Sequence, residues 1–171
     1  MTLRSCCVPF IAIFVLSLSV ACSGQIGVVP KGEIQLKAVA DPRYHVGDVW
    51  EYRTRRGEEQ SRFTVVKAES SPNVGTIVHI GTENLIWKTC RGDVLKQQIP
   101  HMPFALKALD ASAIRRVGGS RKLPDYKEGY EEWRQAFLKG HAGVYTIPVQ
   151  DAISVAEETW RSGLGCGHND Y

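Results

Sequence analysis

The sequence predicts an α+β domain: an antiparallel β-meander of four to five strands, followed by about three helices packed on one face of the sheet. Three observations predict it. Between residues 46 and 98, short runs of alternating apolar and polar residues are separated by Gly, Pro, Asn and Ser, the pattern of half-buried strands joined by tight turns. After Pro100 the apolar spacing lengthens to that of helices. Strands first and helices later in one chain favour segregated layers over an alternating parallel sheet.

Ser23 to about Tyr44 has neither period and carries Gly24, Gly27, Pro30, Gly32 and Pro42. It reads as a tether, with a short edge strand over Ile34 to Ala40 as the alternative. Trp50, Tyr52 and Thr54 then alternate with Glu51, Arg53 and Arg55, which marks a strand. Arg56-Gly57-Glu58-Glu59 is a turn, and Gly57 can take the positive φ such a turn needs. Arg62 to Glu69 is the return strand, with Phe63 and Val65 on one face. Ser70-Ser71-Pro72-Asn73 is a second turn, and Gly75 to Gly81 a third strand. Asn84 to Thr89 and Asp93 to Gln98 give a fourth and a fifth around Arg91-Gly92.

In the second half, Pro103 suits a first helical position. Leu106, Leu109, Ala113 and Val117 are spaced for one helical face. Gly118-Gly119 stops that helix, with Arg115 and Arg116 complementing its C-terminal dipole. Leu123-Pro124-Asp125 begins the next. It carries the aromatic stripe Tyr126, Tyr130, Trp133 and Phe137, with Glu128, Glu131, Glu132, Arg134 and Lys139 largely on the other side. Gly140 to Thr146 is a short crossing segment or strand. Pro148 opens a third helix whose Val149, Ala152, Ile153, Ala156 and Trp160 face inward.

The first 22 residues carry an address. Arg4 and the amino terminus make a short positive region, and Val8 to Val20 is uncharged and almost entirely apolar. A helix of that length rises about 20 Å, short of the roughly 30 Å hydrocarbon core of a bilayer, so it reads as a signal peptide over residues 1–21. Leu18-Ser19-Val20-Ala21-Cys22 resembles the lipobox of bacterial lipoproteins. That resemblance implies cleavage before Cys22, acylation of its thiol, and a lipidated cysteine and tether over residues 22–44 ahead of one domain over 45–171. The large aliphatic residue stands one place further from the cysteine than usual, so cleavage without lipid after Ala21 or Gly24 is the alternative. Ser23, rather than Asp, after the cysteine implies the periplasmic face of the outer membrane.

Removing 21 of 171 residues leaves one domain's worth of chain. The net charge of +3 includes Arg4, so the mature chain stands near +2. Such a balance favours neither nucleic acid nor an acidic surface. Cys6 and Cys7 leave with the leader. With lipid on Cys22, an even pair remains in an oxidising compartment, which predicts a Cys90–Cys166 disulfide; two buried free thiols are the alternative.

Few residues suggest chemistry. Cys166, His168 and Asp170 stand at two-residue spacing, and His101 or His141 would complete a zinc set. Cys166 is better used as a disulfide partner, so no metal is assigned. An imidazole ordinarily titrates near neutral pH, which makes His79 and His101 candidate general bases. No G-x-S-x-G elbow or other nucleophile context accompanies them, and no catalytic residue or cofactor is assigned. The pairs Glu58-Glu59, Glu131-Glu132 and Glu157-Glu158 read as solvated charged faces rather than as glycosidase carboxylates. Arg53, Arg55, Arg56 and Arg62 gather on one hairpin. They either bind an acidic partner, lipid headgroups or a sugar polymer, or pair across strands with Glu51, Glu58 and Glu59.

Three phrases occur together: Val46-Gly47-Asp48-Val49-Trp50 with Thr54-Arg55 and Gly57-Glu58-Glu59; His101-Met102-Pro103-Phe104; and Leu123-Pro124-Asp125, Gly129-Tyr130 and Trp133 ahead of Ala142-Gly143-Val144-Tyr145-Thr146-Ile147-Pro148-Val149. In this order they resemble a group of small bacterial proteins of unknown function, over about residues 46–157. The resemblance implies no activity, and the leader is a departure from it. The expectation is therefore an envelope lipoprotein that acts as a non-catalytic binding module for a protein partner. The alternatives are an immunity-type inhibitor of an envelope-targeted toxin, or a small envelope hydrolase using His101 or His79.

Overall fold

The computed structural model describes residues 35–166. The expected signal peptide, Cys22 and most of the expected tether lie outside the described residues, as do His168 and Asp170. The elements run β1 (Lys37–Ala38), β2 (Asp48–Tyr52), β3 (Arg62–Ser71), β4 (Gly75–Lys88), β5 (Val94–Ala105), α1 (Leu106–Ser112), β6 (Ala113–Gly119), α2 (Lys127–Leu138) and α3 (Val149–Gly163). The antiparallel sheet has the order β5-β4-β3-β2-β6, and β1 pairs with the far end of β3. The α+β class and the meander β2-β3-β4-β5 are as the alternation predicts.

Several boundaries differ, each for a physical reason. The predicted third and fourth strands are one strand, β4, which bends where Asn84 takes φ 57° and the pairing with β5 shifts. Pro103 does not start a helix. It lies inside β5 opposite His79, a place open to proline because β5 is an edge strand and needs no outward N–H. The first helix accordingly begins at Leu106 and lasts seven residues. Ala113 to Gly119, expected to finish that helix, forms β6 on the free edge of β2. The domain also reaches back beyond residue 45. Tyr44 is 1% exposed; Asp41 accepts hydrogen bonds from the Arg43 and Tyr44 amides, and the Tyr44 hydroxyl donates to Asp110.

One sheet face carries the main core. Phe63 and Val65 of β3, Val78 and Ile80 of β4, and Met102 and Phe104 of β5 pack with Leu109 of α1 and with Val149, Ala152 and Ile153 of α3. The inward stripe of α3 is the one its spacing predicts, and Trp160 closes it against Trp87 with ring centroids 5.3 Å apart. Pro148 offers α3 no side-chain cap. Ser112 Oγ accepts from the Val149 amide instead and donates to the Ala108 carbonyl, which joins the end of α1 to the start of α3.

α2 packs on the opposite face, so the helices are not all on one side. Two bulges prepare that face. Val65 pairs with Ile80 but Lys67 with His79, which leaves Val66 as the extra residue in β3. Ile80 pairs with Met102 but Thr82 with Ile99, so Pro100 and His101 together oppose Gly81. Such insertions re-aim side chains. Here they put Lys67, Glu69, His79 and His101 on one face, away from Val78 and Met102. The predicted disulfide is also present: Cys90, in the β4–β5 turn, is bonded to Cys166 just past α3, with Cα atoms 5.4 Å apart.

Candidate functional site

The face covered by α2 holds a buried chain of polar groups. Glu69 is 2% exposed and His79 fully buried. The Glu69 carboxylate accepts from the Tyr130 hydroxyl at 3.1 Å on one oxygen and from His79 Nε2 at 3.1 Å on the other. His79 Nδ1 then lies 2.9 Å from His101 Nε2. A carboxylate only accepts, so the tautomers follow in sequence. His79 carries its proton on Nε2, its Nδ1 accepts, and His101 donates from Nε2. Lys67 Nζ sits 3.4 Å from Glu69 and 4.8 Å from the Tyr130 ring centroid.

α2 closes over this chain with aromatic rings. The Trp133 and Tyr130 centroids lie 4.8 and 5.3 Å from that of His79, both edge-on. Gly129 makes the close approach possible, because a Cβ there would stand 3.3 Å from His101 Cβ. The electrostatics follow from burial. Loss of water holds the His79 imidazole below its ordinary pKa, though Glu69 pulls the other way. His101 is lowered to about 4 by burial and by its neighbour His79. Burial pushes the Glu69 carboxyl up, but the hydrogen bond from His79, the charge of Lys67 and the Tyr130 hydroxyl outweigh it, and the net shift is downward. Tyr130 is raised by burial and by the Glu69 charge.

Beyond Gly81 the same face is open. A Cβ on Gly81 would fall 2.8 Å from Pro124 Cγ and 2.9 Å from the Pro100 carbonyl oxygen, so the strap before α2 lies directly on the sheet here. On the far side of the strap is a groove of about 370 Å³, floored by Val49 and Thr64 and edged by Gln98, Lys122 and Leu123. Gln98 is shared with two further hollows, one reaching Lys96 and the other Tyr126, so the depression continues along β5. Register puts Glu51 on this face, between Arg62 of β3 and Arg115 of β6; it pairs with both, at 2.9 and 2.7 Å.

The four arginines singled out from sequence are not brought together. Arg53 donates to the Ala111 carbonyl at the end of α1. Arg55 turns to the α3 side, where it bonds Glu58, Glu157 and the Ile86 carbonyl. Arg62 lies on the sheet face of the groove and pairs with Glu51. Arg56 is exposed and, with Arg55, edges a cleft of about 450 Å³ beside Lys88 and Glu157, the one place where two of the four meet among the described residues. Only Arg62 stands on a strand; Arg53, Arg55 and Arg56 lie in the segment between β2 and β3, which turns Arg53 to α1 and Arg55 to α3.

His79 and His101 are brought together, which the sequence does not suggest, and Glu69 is not among the residues it singles out. The signal for Glu69 is the alternation Lys67-Ala68-Glu69 on a strand opposite His79, and the register that makes it meaningful is not readable from one strand. No Ser, Thr or Cys hydrogen-bonds either ring among the described residues, so the pair has acid–base geometry without a nucleophile. Cys166 is engaged by Cys90 and is lost to the zinc set considered with His168 and Asp170. No family model, curated protein sequence or solved structure matches the chain.

Proposed function

We propose that the protein is an envelope lipoprotein, tethered through Cys22 to the periplasmic face of the outer membrane, that binds a protein partner without catalysis on the open half of its sheet. One observation carries this reading: α2 covers only the half of that face that bears His79 and His101, and leaves a polar groove across the strands between Val49 and Gln98. A sheet normally buries or solvates a whole face. A half-covered one with a continuous trough offers a shaped surface.

The charge at the groove favours one kind of partner. Lys96 and Lys122 line it against Glu83, and Arg62, Glu51 and Arg115 stand beside it in a row on the same sheet face. The surplus is positive, and both guanidinium groups are already held in place by Glu51. An acidic segment of a protein would meet fixed donors here, and its association would weaken as salt rises.

The test is a photo-crosslinking residue placed at Gln98 in the groove, or at exposed Thr159 on α3, in cells whose envelopes are then fractionated. We expect one defined protein adduct from Gln98, none from Thr159, and at least a fivefold lower yield when Lys122→Glu is added. Equal labelling from both positions, or a yield indifferent to Lys122→Glu, would overturn the assignment of this face.

A further inference from the structure

We infer that α2 is an acid-released cover on this same sheet face, latched by the Glu69–His79–His101 chain, and that its release extends the open groove over the half it hides. The inference rests on the proposed reading only in what the uncovered surface is for. The latch itself stands on geometry.

The polar and ring contacts of α2 with the sheet are made here, while Phe137 is buried nearer its C-terminal end. Its Tyr130 hydroxyl bonds Glu69, its Tyr130 and Trp133 rings seat on the imidazoles, and its Gly129 lies against His101. The helix has no side-chain cap at its start, and Trp133 Nε1 ties it to the Gly143 carbonyl rather than to the sheet. The charged and titratable groups at the pair are Lys67 and Glu69 from β3 and Tyr130 from α2, which itself feels Glu131 and Arg134 of its own helix.

The nitrogens that face each other across 2.9 Å share one proton. With both rings neutral, every donor in the chain has an acceptor. A first added proton, taken at His101 Nδ1, leaves a buried imidazolium against His79, with the Glu69 carboxylate one ring further along. A second would set two N–H groups against each other with no acceptor between them. Both protonated states are better served by water, and water reaches the rings only when Trp133 and Tyr130 lift away. Gly81, Pro100 and Pro124 mark the boundary between the covered and open halves, so lifting α2 joins the two.

The experiment is hydrogen exchange of the full-length protein in detergent micelles, read by mass spectrometry at pH 7.5 and pH 5 and corrected for the intrinsic pH dependence of exchange. His101 goes from its ordinary 6.5 to about 4 when α2 is closed. That difference alone favours the open form about thirtyfold more at pH 5 than at pH 7.5. We therefore expect amides of residues 127–138 to lose about thirtyfold protection while those of α3 keep theirs. In His101→Gln, whose amide still donates to His79 but does not titrate, most of that loss should vanish. Protection of α2 that is independent of pH, or that is lost together with α3, would overturn the latch, as would an unchanged response in His101→Gln. Should that variant not fold, the wild-type histidine ring signals followed by NMR decide. They must titrate in step with α2 exchange, and a midpoint unrelated to it overturns the proposal. Exchange reads α2 whether or not Gln98 ever crosslinks, so the two readings fail separately.

Discussion

Two adjacent glutamates show how little a residue's type says before its surroundings are known. Glu58 and Glu59 look alike in the sequence, where both read as solvated. Glu59 is exposed and bonds the Gly57 amide at the turn. Glu58 is 2% exposed; it accepts from Arg55 through both oxygens and from the Ile86 amide. Removing one partner of a buried ion pair leaves the other charge uncompensated and costs about 3–5 kcal/mol. Glu157 still holds Arg55, which places the expected loss at the lower end. Glu58→Ala should therefore lower the unfolding free energy by about 3 kcal/mol in urea titrations, and Glu59→Ala should leave it nearly unchanged. Similar losses for the two variants would show that Arg55 is not dependent on Glu58. The histidines make the same point at longer range. His79 and His101 are legible as candidates because imidazole is rare and titrates near neutrality. Glu69 is not, since its meaning comes from two bulges that no single strand announces.

At the scale of elements, legibility follows the strength of the period. α3 is readable in full, because Val149, Ala152, Ile153, Ala156 and Trp160 repeat over several turns and Pro148 marks the start. The stripe Tyr126, Tyr130, Trp133 and Phe137 is readable as a helix but not as a helix on the second face, because its target, the histidine pair, lies on two strands far away in sequence. Residues 113–119 read as helix and form a strand. Leu106 and Leu109 set a helical phase that Ala113 and Val117 happen to continue, yet the open edge of β2 offers backbone partners that a helix would leave unused. The disulfide is legible by cysteine arithmetic alone, and in the folded domain it fastens the end of α3 to the β4–β5 turn. It closes a loop across 76 residues of sequence, and constraining that much unfolded chain contributes roughly 2–5 kcal/mol. Cys166→Ser should lower stability by that amount and loosen the last turn of α3 in hydrogen exchange. A thiol assay on denatured, unreduced protein should find Cys90 and Cys166 unreactive. Two reactive thiols would remove the bond from the account.

For the whole molecule, the proposed reading asks what would keep the domain at a membrane. Among the described residues no helix is long and apolar enough to cross one. On the proposed reading, attachment falls to the acyl chains on Cys22. Each buried methylene contributes about 0.8 kcal/mol; one chain binds marginally, and two or more hold firmly. The first strand begins at Lys37, roughly 15 residues after Cys22. Cys22→Ala should abolish incorporation of labelled palmitate and move the protein from the membrane pellet to the soluble fraction. It should leave the Glu58-dependent stability and the pH response of α2 unchanged, because both belong to residues beyond the tether. Persistent label would end the lipobox assignment. Lost label with the protein still in the pellet would mean that the domain holds the envelope by its own surface, and the first surface to test would then be the one that carries Arg62, Arg115, Lys96 and Lys122.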